Sequence, residues 1–249
     1  MGAWATAAFW EVMQIKTDML PPGLLYEEKR LQALQRYDIL DTLPESEYDD
    51  IVQLAAQLCG VPIALISLVD RDRQWFKAKA GLPGVSETER CVSFCTVAIE
   101  REHVLVVEDA SQDVRFSANP LVTGAPFIRF YAGAPIQSED GFTLGTLCVI
   151  DREPRVLGEE QRRNLLALKR QVELLLKLRL QVKQTEARNR QLLERLNAGG
   201  KAFLTHTVLP GVDGTPARYV LRMAIGSART EERHVRAVWE QLAALAKEA

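Results

Sequence analysis

The chain has 249 residues, 47% hydrophobic and 26% charged, which is ordinary for a globular protein and enough for one good core plus an appendage. Its formal net charge of -2 offers no basic surplus to a nucleic-acid partner, and its longest apolar stretches, Val61 to Val69 and Leu144 to Ile150, are too short to span a bilayer. The N-terminus lacks a positive n-region ahead of its apolar residues, and the four cysteines form no C-x-x-C pair and lie far from the three histidines, so a cytoplasmic, reducing setting without a metal site is expected.

Residues 1–26 read as an N-terminal extension, with Trp4, Phe9 and Trp10 in no clear period and a break at Pro21-Pro22-Gly23. Helical signals start at Glu27, where Leu31, Leu34 and Ile39 follow charged residues. After Asp41-Thr42-Leu43-Pro44 they resume from Glu45 to Leu58, with Tyr48, Ile51, Val52, Ala55 and Leu58 on one face. Pro62 to Asp70 is a buried strand by its β-branched content, and Arg73 to Ala80 is its partner across the Asp70-Arg71-Asp72 turn. In that partner Trp75 and Lys77 share one face and Phe76 takes the other; either aromatic can wall a pocket or pack in a core.

Ser86 to Arg90 is polar, Ser93 to Glu100 reads as a short helix, and Val104 to Val107 as a third strand. Asp109 to Pro120 is loop-like, and its Asp113, Arg115 and Asn119 suit either polar ligand contacts or simple turns. Cys91 and Cys95, four residues apart, would share one face of a helix, as a redox pair or as packing. Cys59 and Cys148 lie in apolar runs and read as core.

The stretch from Phe130 to Asp151 reads as a hairpin, FYAGAPI and FTLGTLCVI joined by Ser138-Glu139-Asp140-Gly141. Its strands lack polar alternation, so both faces should be covered. Gly133 and Gly145 weaken a strand unless a bulge or close neighbour needs their space. A sheet with small residues at its centre and helices over it can enclose a cavity, which is the shape of a small-molecule sensor.

Several blocks, in order, resemble the GAF domains of bacterial sensor proteins. They are Tyr37 to Thr42 (YDILDT), Val61 to Asp70, Arg73 to Ala78, Ser93-Phe94-Cys95, Asp113 to Phe116 with Asn119 to Val122, Phe130 to Pro135 and Leu144 to Asp151. The resemblance covers about residues 27 to 180 and implies an α+β fold, a central antiparallel sheet with flanking helices, and a pocket that in various relatives holds cyclic nucleotides, tetrapyrroles or other small molecules. On the matching blocks it points to Trp75, Cys95, Arg115, Tyr131 and Thr146 as ligand-binding residues. Relatives often carry a His where this chain has Val97 and an acidic residue where it has Cys91. The bilin-attachment context of phytochromes is missing. Cys91 and Cys95 do not reproduce the pocket cysteines with which some GAF-like proteins reduce free methionine sulfoxide.

Leu157 to Leu196 reads as a long helix, with Leu165, Leu168, Val172 and Leu175 at a and d of a heptad that runs on through Arg179, Val182, Glu186, Asn189, Leu193 and Leu196. In GAF sensors the equivalent helix joins the domain to an output and pairs with its copy, so residues 158–198 are expected to form a coiled-coil-like dimerisation helix after a GAF domain at 27–157. Asn197-Ala198-Gly199-Gly200 ends it.

Residues 199–249 then read as a small ββα tail: strands at Lys201 to Leu209 and Tyr219 to Gly226, then a helix capped by Thr230 with Val235, Val238, Trp239, Leu242 and Leu245 on one side. Phe203 to Thr207, Tyr219 to Gly226 and Thr230 to Val235 with Trp239 resemble the extreme C-terminus of pyridoxal-phosphate-dependent aromatic amino-acid decarboxylases. The large cofactor-binding domain of that family has no counterpart, so His206 and His234 read as structural remnants of a gene fusion.

The expectation is therefore a sensory and dimerisation module, not an enzyme, that binds an unidentified small molecule and signals through a downstream protein. The alternatives are a non-sensing interaction scaffold, a cysteine-dependent methionine-sulfoxide-reductase-like enzyme, or a decarboxylase remnant.

Overall fold

In the computed structural model, which describes residues 22–198, 204–209, 218–223 and 232–248, the β-branched runs form six strands. These are β1 (Ile63–Val69), β2 (Arg73–Ala80), β3 (Glu87–Glu89), β4 (Leu105–Val107), β5 (Phe130–Gln137) and β6 (Thr143–Asp151). They pair into one antiparallel sheet in the order β3-β2-β1-β6-β5-β4. Every residue of the central strands β1 and β6 is buried, as the lack of polar alternation requires of a sheet covered on both sides.

Strand periodicity sorts the side chains between two layers. Ile63, Leu65 and Val69 of β1, Phe76 of β2, Tyr131 of β5, and Cys148 and Ile150 of β6 pack with Phe94, Cys95, Ala98 and Ile99 on one side. That side is covered by a one-turn helix, α3 (Phe94–Ala98), and by the loops around α4 (Pro120–Thr123). The alternate residues, among them Ala64, Ile66, Leu68, Ala132, Leu147 and Val149, face α1 (Pro22–Arg36) and α2 (Ser46–Cys59).

Charged ties hold this second layer. Lys77, wholly buried, donates from Nζ to Thr42 Oγ1 (2.9 Å) and the Leu43 carbonyl (2.8 Å) and pairs with Glu45. Arg30, 1% exposed, donates to the Val69 carbonyl (2.7 Å) and to both carboxylate oxygens of Glu27 (2.8 Å), which also takes a bond from Arg90. Burial pushes the Glu27 carboxyl upward, but the hydrogen bonds and charges of Arg30 and Arg90 outweigh it and hold the pKa down at about 2.

The long helix α5 (Glu159–Ala198) is tied to the sheet domain along its first half. Gln161 donates to the Cys59 carbonyl, Glu173 accepts from the Gln137 amide, and Arg179 donates to the Tyr37 and Asp38 carbonyls and to Glu45. Leu165 and Val172, expected at heptad core positions, are fully buried within this chain, while Leu174, Leu178 and Val182 are 48%, 48% and 58% exposed.

The chain divides into two compact units that part between Arg179 and Leu180, inside α5. In the second unit β7 (Leu204–Leu209) and β8 (Arg218–Met223) form an antiparallel hairpin, and α6 spans Glu232–Glu248. Val238 is buried, but Trp239, expected on the same apolar side, is 66% exposed. The N-terminal aromatics, the Gly199-Gly200 stop, the loop between β7 and β8 and the Thr230 cap fall outside the described residues.

The first helix begins at Pro22, not at Glu27. Proline fits a helix's first turn because its missing N–H has no intrahelical partner there, so the expected break is a start. The three-residue β3 and four-residue α4, both unexpected, are too short to carry a periodic signal.

Candidate functional site

Between the sheet and α3 lies a cavity of about 150 Å³. Its walls are mostly apolar, with Ile63, Leu65, Phe76, Leu82, Ile128 and Ile150, and its polar side is Gln74, Thr88, Cys95 and Tyr131. Among the described residues no charged side chain lines it. Leu82, Val85, Thr88, Leu121 and Pro126 are only half-buried and Ala125 is exposed, which puts the mouth between the 82–88 and 121–126 loops. Cys95, 2% exposed, sits on the inner wall.

The polar side is a connected network. Gln74 Oε1 accepts from Ser67 Oγ (3.1 Å) and Ser93 Oγ (2.5 Å), and its Nε2 donates to Thr88 Oγ1 (2.5 Å). Ser93 also caps α3 by accepting from the Thr96 amide, so one hydroxyl fixes both the amide of Gln74 and the helix that carries Cys95. Tyr131 Oη donates to Cys95 Sγ at 3.4 Å, Thr146 Oγ1 donates to it at 3.1 Å, and Cys148 Sγ lies 3.9 Å away. Hydrogen bonds from Cys148, Thr146 and Tyr131 pull the Cys95 thiol below its ordinary pKa against the opposing effect of burial, and Cys148 is pushed up by the same partnership and by burial. Burial pushes the Tyr131 phenol up as well, so it stays a donor.

The two glycines of the hairpin serve this arrangement. A Cβ on Gly133 would lie 2.2 Å from Tyr131 Oη, because the phenol leans along β5 over the residue two positions on. At Gly145 a Cβ would fall 2.0 Å from the Ser67 carbonyl oxygen and 2.8 Å from Leu68 Cα, so the close approach of β1 and β6 needs a glycine there.

Of the residues singled out in the sequence, Cys95 and Tyr131 line the cavity, and Thr146 lies behind them, fully buried on Cys95. Trp75 does not line it. Phe76 takes that place, and its neighbour Trp75 turns to the layer under α2. Arg115 lies in a separate outer groove with Arg101, His103 and Arg162, paired with Asp113 and set over the Phe116 ring.

The polar residues of the 109–119 loop are used by the loop itself. Asp113 Oδ1 accepts from the Arg115 amide, and Asn119 caps α4 while donating to the Val92 carbonyl. Cys91 and Cys95 do not share a helix face, because Cys91 belongs to a 3₁₀ turn at Arg90–Val92 and is exposed beside Glu89. The partner of Cys95 is Cys148, which lies on β6 opposite Leu65 and Gly133. Sequence reasoning placed Cys148 in the core and missed the pairing; the one available signal was that Cys148 shares strand parity with Thr146. Among the described residues no three His, Cys, Asp or Glu side chains gather as a metal site, and no helix is long and apolar enough to cross a membrane.

The family model described as "GAF domain" matches residues 44–176, more than half of the chain. The chain belongs to the GAF family. Its GAF region is similar to part of a cyclic di-GMP phosphodiesterase from Pseudomonas aeruginosa, 44% identical over 135 residues, which is 54% of this chain and 23% of that protein. A second similarity joins this chain to tryptophan decarboxylase 1 of Oryza sativa subsp. japonica, 54% identical over 52 residues, 21% of this chain and 9% of the decarboxylase. The chain thus spans less than a quarter of the length of either relative. Among solved structures, the GAF domain of an Acinetobacter phosphoenolpyruvate-protein phosphotransferase aligns with a TM-score of 0.46 at 22% identity, over 60% of this chain and 93% of that one.

Proposed function

We propose that the GAF domain is a sensory and regulatory module, not an enzyme, that takes a small, uncharged, largely apolar molecule into the cavity beside Cys95 and dimerises through α5. The observation that carries the reading is the cavity's combination of apolar walls with one satisfied polar cluster and, among the described residues, no charged lining residue. A volume near 150 Å³ matches the kind of cavity that admits benzene, and lies below the roughly 300–1,000 Å³ of drug-sized sites. A cyclic nucleotide would bring a phosphate with no lining cation among the described residues to meet it, and desolvating that charge unpaired is costly. The cyclic di-GMP chemistry of the Pseudomonas aeruginosa relative is therefore not carried over to this cavity.

For dimerisation the support is the exposed stripe Leu174, Leu178 and Val182, flanked by half-buried Leu168 and Leu175. Leu165 and Val172 are taken up by the chain's own core, so the seam is turned away from the simple a/d register. In this reading the signal passes to a downstream protein, and the decarboxylase-like tail is a structural appendage.

The test is thermal shift and native mass spectrometry against a panel of benzene, indole, short-chain ketones and cyclic nucleotides. Small uncharged compounds should raise stability, by about 2.7 kcal/mol at a hundredfold excess over Kd. Leu121→Trp, which fills the mouth, should abolish the shift. Stabilisation by none of the small compounds, with a dimer intact, would replace the sensory reading with an interaction scaffold.

A further inference from the structure

We propose that Cys95 and Cys148 are a peroxide-reactive thiol pair: a small alkyl hydroperoxide entering the cavity oxidises Cys95, and Cys148 then closes a Cys95–Cys148 disulfide. The proposal uses the same cavity as the sensory reading but does not depend on a reversible ligand.

The geometry supplies each part. Cys95 lines the cavity, so a molecule small enough to pass Leu121 and Pro126 meets its sulfur. Two hydroxyls and a thiol converge on that sulfur, Thr146 Oγ1 at 3.1 Å, Tyr131 Oη at 3.4 Å and Cys148 Sγ at 3.9 Å, and donors gathered around one sulfur favour its thiolate, the reactive form. All four side chains are buried, and Cys148 does not line the cavity. The two cysteines therefore have different roles: Cys95 meets the oxidant and Cys148 resolves it. The pair must close from 3.9 Å to the roughly 2.05 Å of a disulfide. β6 is fixed between β1 and β5, so the movement falls to α3, a single turn of five residues.

In the first step the Cys95 sulfur attacks the outer peroxide oxygen. An S–O bond forms, the O–O bond breaks, and the alkoxide leaves as an alcohol with the thiol proton. In the second, Cys148 sulfur attacks the sulfenic sulfur; the S–S bond forms, the S–O bond breaks, and hydroxide leaves as water with the second thiol proton. Two thiols and one hydroperoxide give one disulfide, one alcohol and one water, a two-electron oxidation.

The experiment is to treat the reduced full-length chain with tert-butyl hydroperoxide, block remaining thiols under denaturing conditions, and map peptides without reduction. The expected product is a Cys95–Cys148 cross-linked peptide, two hydrogens lighter than its reduced parts and reversed by dithiothreitol, which still forms in Cys91→Ser. In Cys148→Ser, dimedone should label Cys95. At pH 5, below the lowered pKa of the Cys95 thiol, Thr146→Val, which removes one donor, should slow oxidation by about tenfold for each pKa unit by which the thiol rises. Oxidation confined to exposed Cys91, with Cys95 and Cys148 recovered as blocked thiols, overturns the proposal, and the unmodified chain gives that answer even if a variant fails to fold. A cavity that binds benzene while both thiols stay reduced would sink this proposal and leave the sensory reading standing. A disulfide without ligand binding would do the reverse.

Discussion

On the side of the sheet under α1 and α2, buried charge is paired and pinned, whereas on the side under α3 the polar groups gathered beside the cavity are neutral. Lys77 directs its three donors to Thr42, Leu43 and Glu45, Arg30 donates to the Val69 carbonyl and the Glu27 carboxylate, and Arg179 of α5 locks the loop between α1 and α2 through Tyr37 and Asp38. On the other side Gln74, Ser67, Ser93, Thr146 and Tyr131 hold one another and Cys95. Charge is costly to move once buried, so the first layer is a rigid platform. Neutral groups at the edge of a cavity can exchange partners at lower cost, so the proposed recognition and thiol chemistry are assigned to the second.

The largest expected effect comes from forcing the shared strands apart. Gly145→Val would drive a side chain into the backbone of Ser67 and Leu68, which cannot swing aside, and should cost about 3 kcal/mol or more, read as a lower urea midpoint. Lys77→Met tests the platform alone. It removes the ammonium and leaves the Leu43 carbonyl and the Thr42 hydroxyl without that donor and Glu45 with Arg179 alone, for a loss of about 2–3 kcal/mol in the same assay, with the thiol pair unaffected.

Acid provides a third contrast. Glu27 is held at about 2 in the folded protein against its ordinary 4.5, so its contribution is complete above about pH 4.5 and is lost as the pH falls towards 2. With Glu27 27% exposed, solvent screening leaves roughly 2 kcal/mol, and Glu27→Gln should flatten that part of a stability profile measured between pH 5 and 2.

The smallest effect on stability, about 1 kcal/mol, is expected for Gly133→Ala, because the group it meets is the far end of the Tyr131 side chain, which can turn away. That turn should lift the phenol from Cys95 and slow the thiol's reaction with tert-butyl hydroperoxide, confining the damage to the cavity side. Equal losses on both sides would mean that the two layers are not independent.

Much of the frame was legible because it depends on local period and punctuation. The β5–β6 hairpin was marked by two apolar runs around Asp140-Gly141, and α2 by apolar residues recurring on one face. Both hairpin glycines were visible as positions that needed a reason. The reason itself was not visible: at Gly133 it is a phenol from the same strand, at Gly145 a backbone from the neighbouring one. Pro22 misled because a proline marks a helix's first turn as readily as its end.

By itself, then, the sequence determined the α+β class, the family, and the longer strands and helices, since hydrophobic period and turn chemistry are properties of neighbouring residues, while the short β3 and α4 left no such pattern. Only the tertiary structure decided which residues meet. Trp75 and Phe76 go to opposite layers, Arg115 spends its charge on Asp113, and Cys95 finds a partner 53 residues away in Cys148 rather than four away in Cys91. Those choices follow from strand register and from where a five-residue helix settles on the sheet, and both are set by long-range packing that no local pattern encodes.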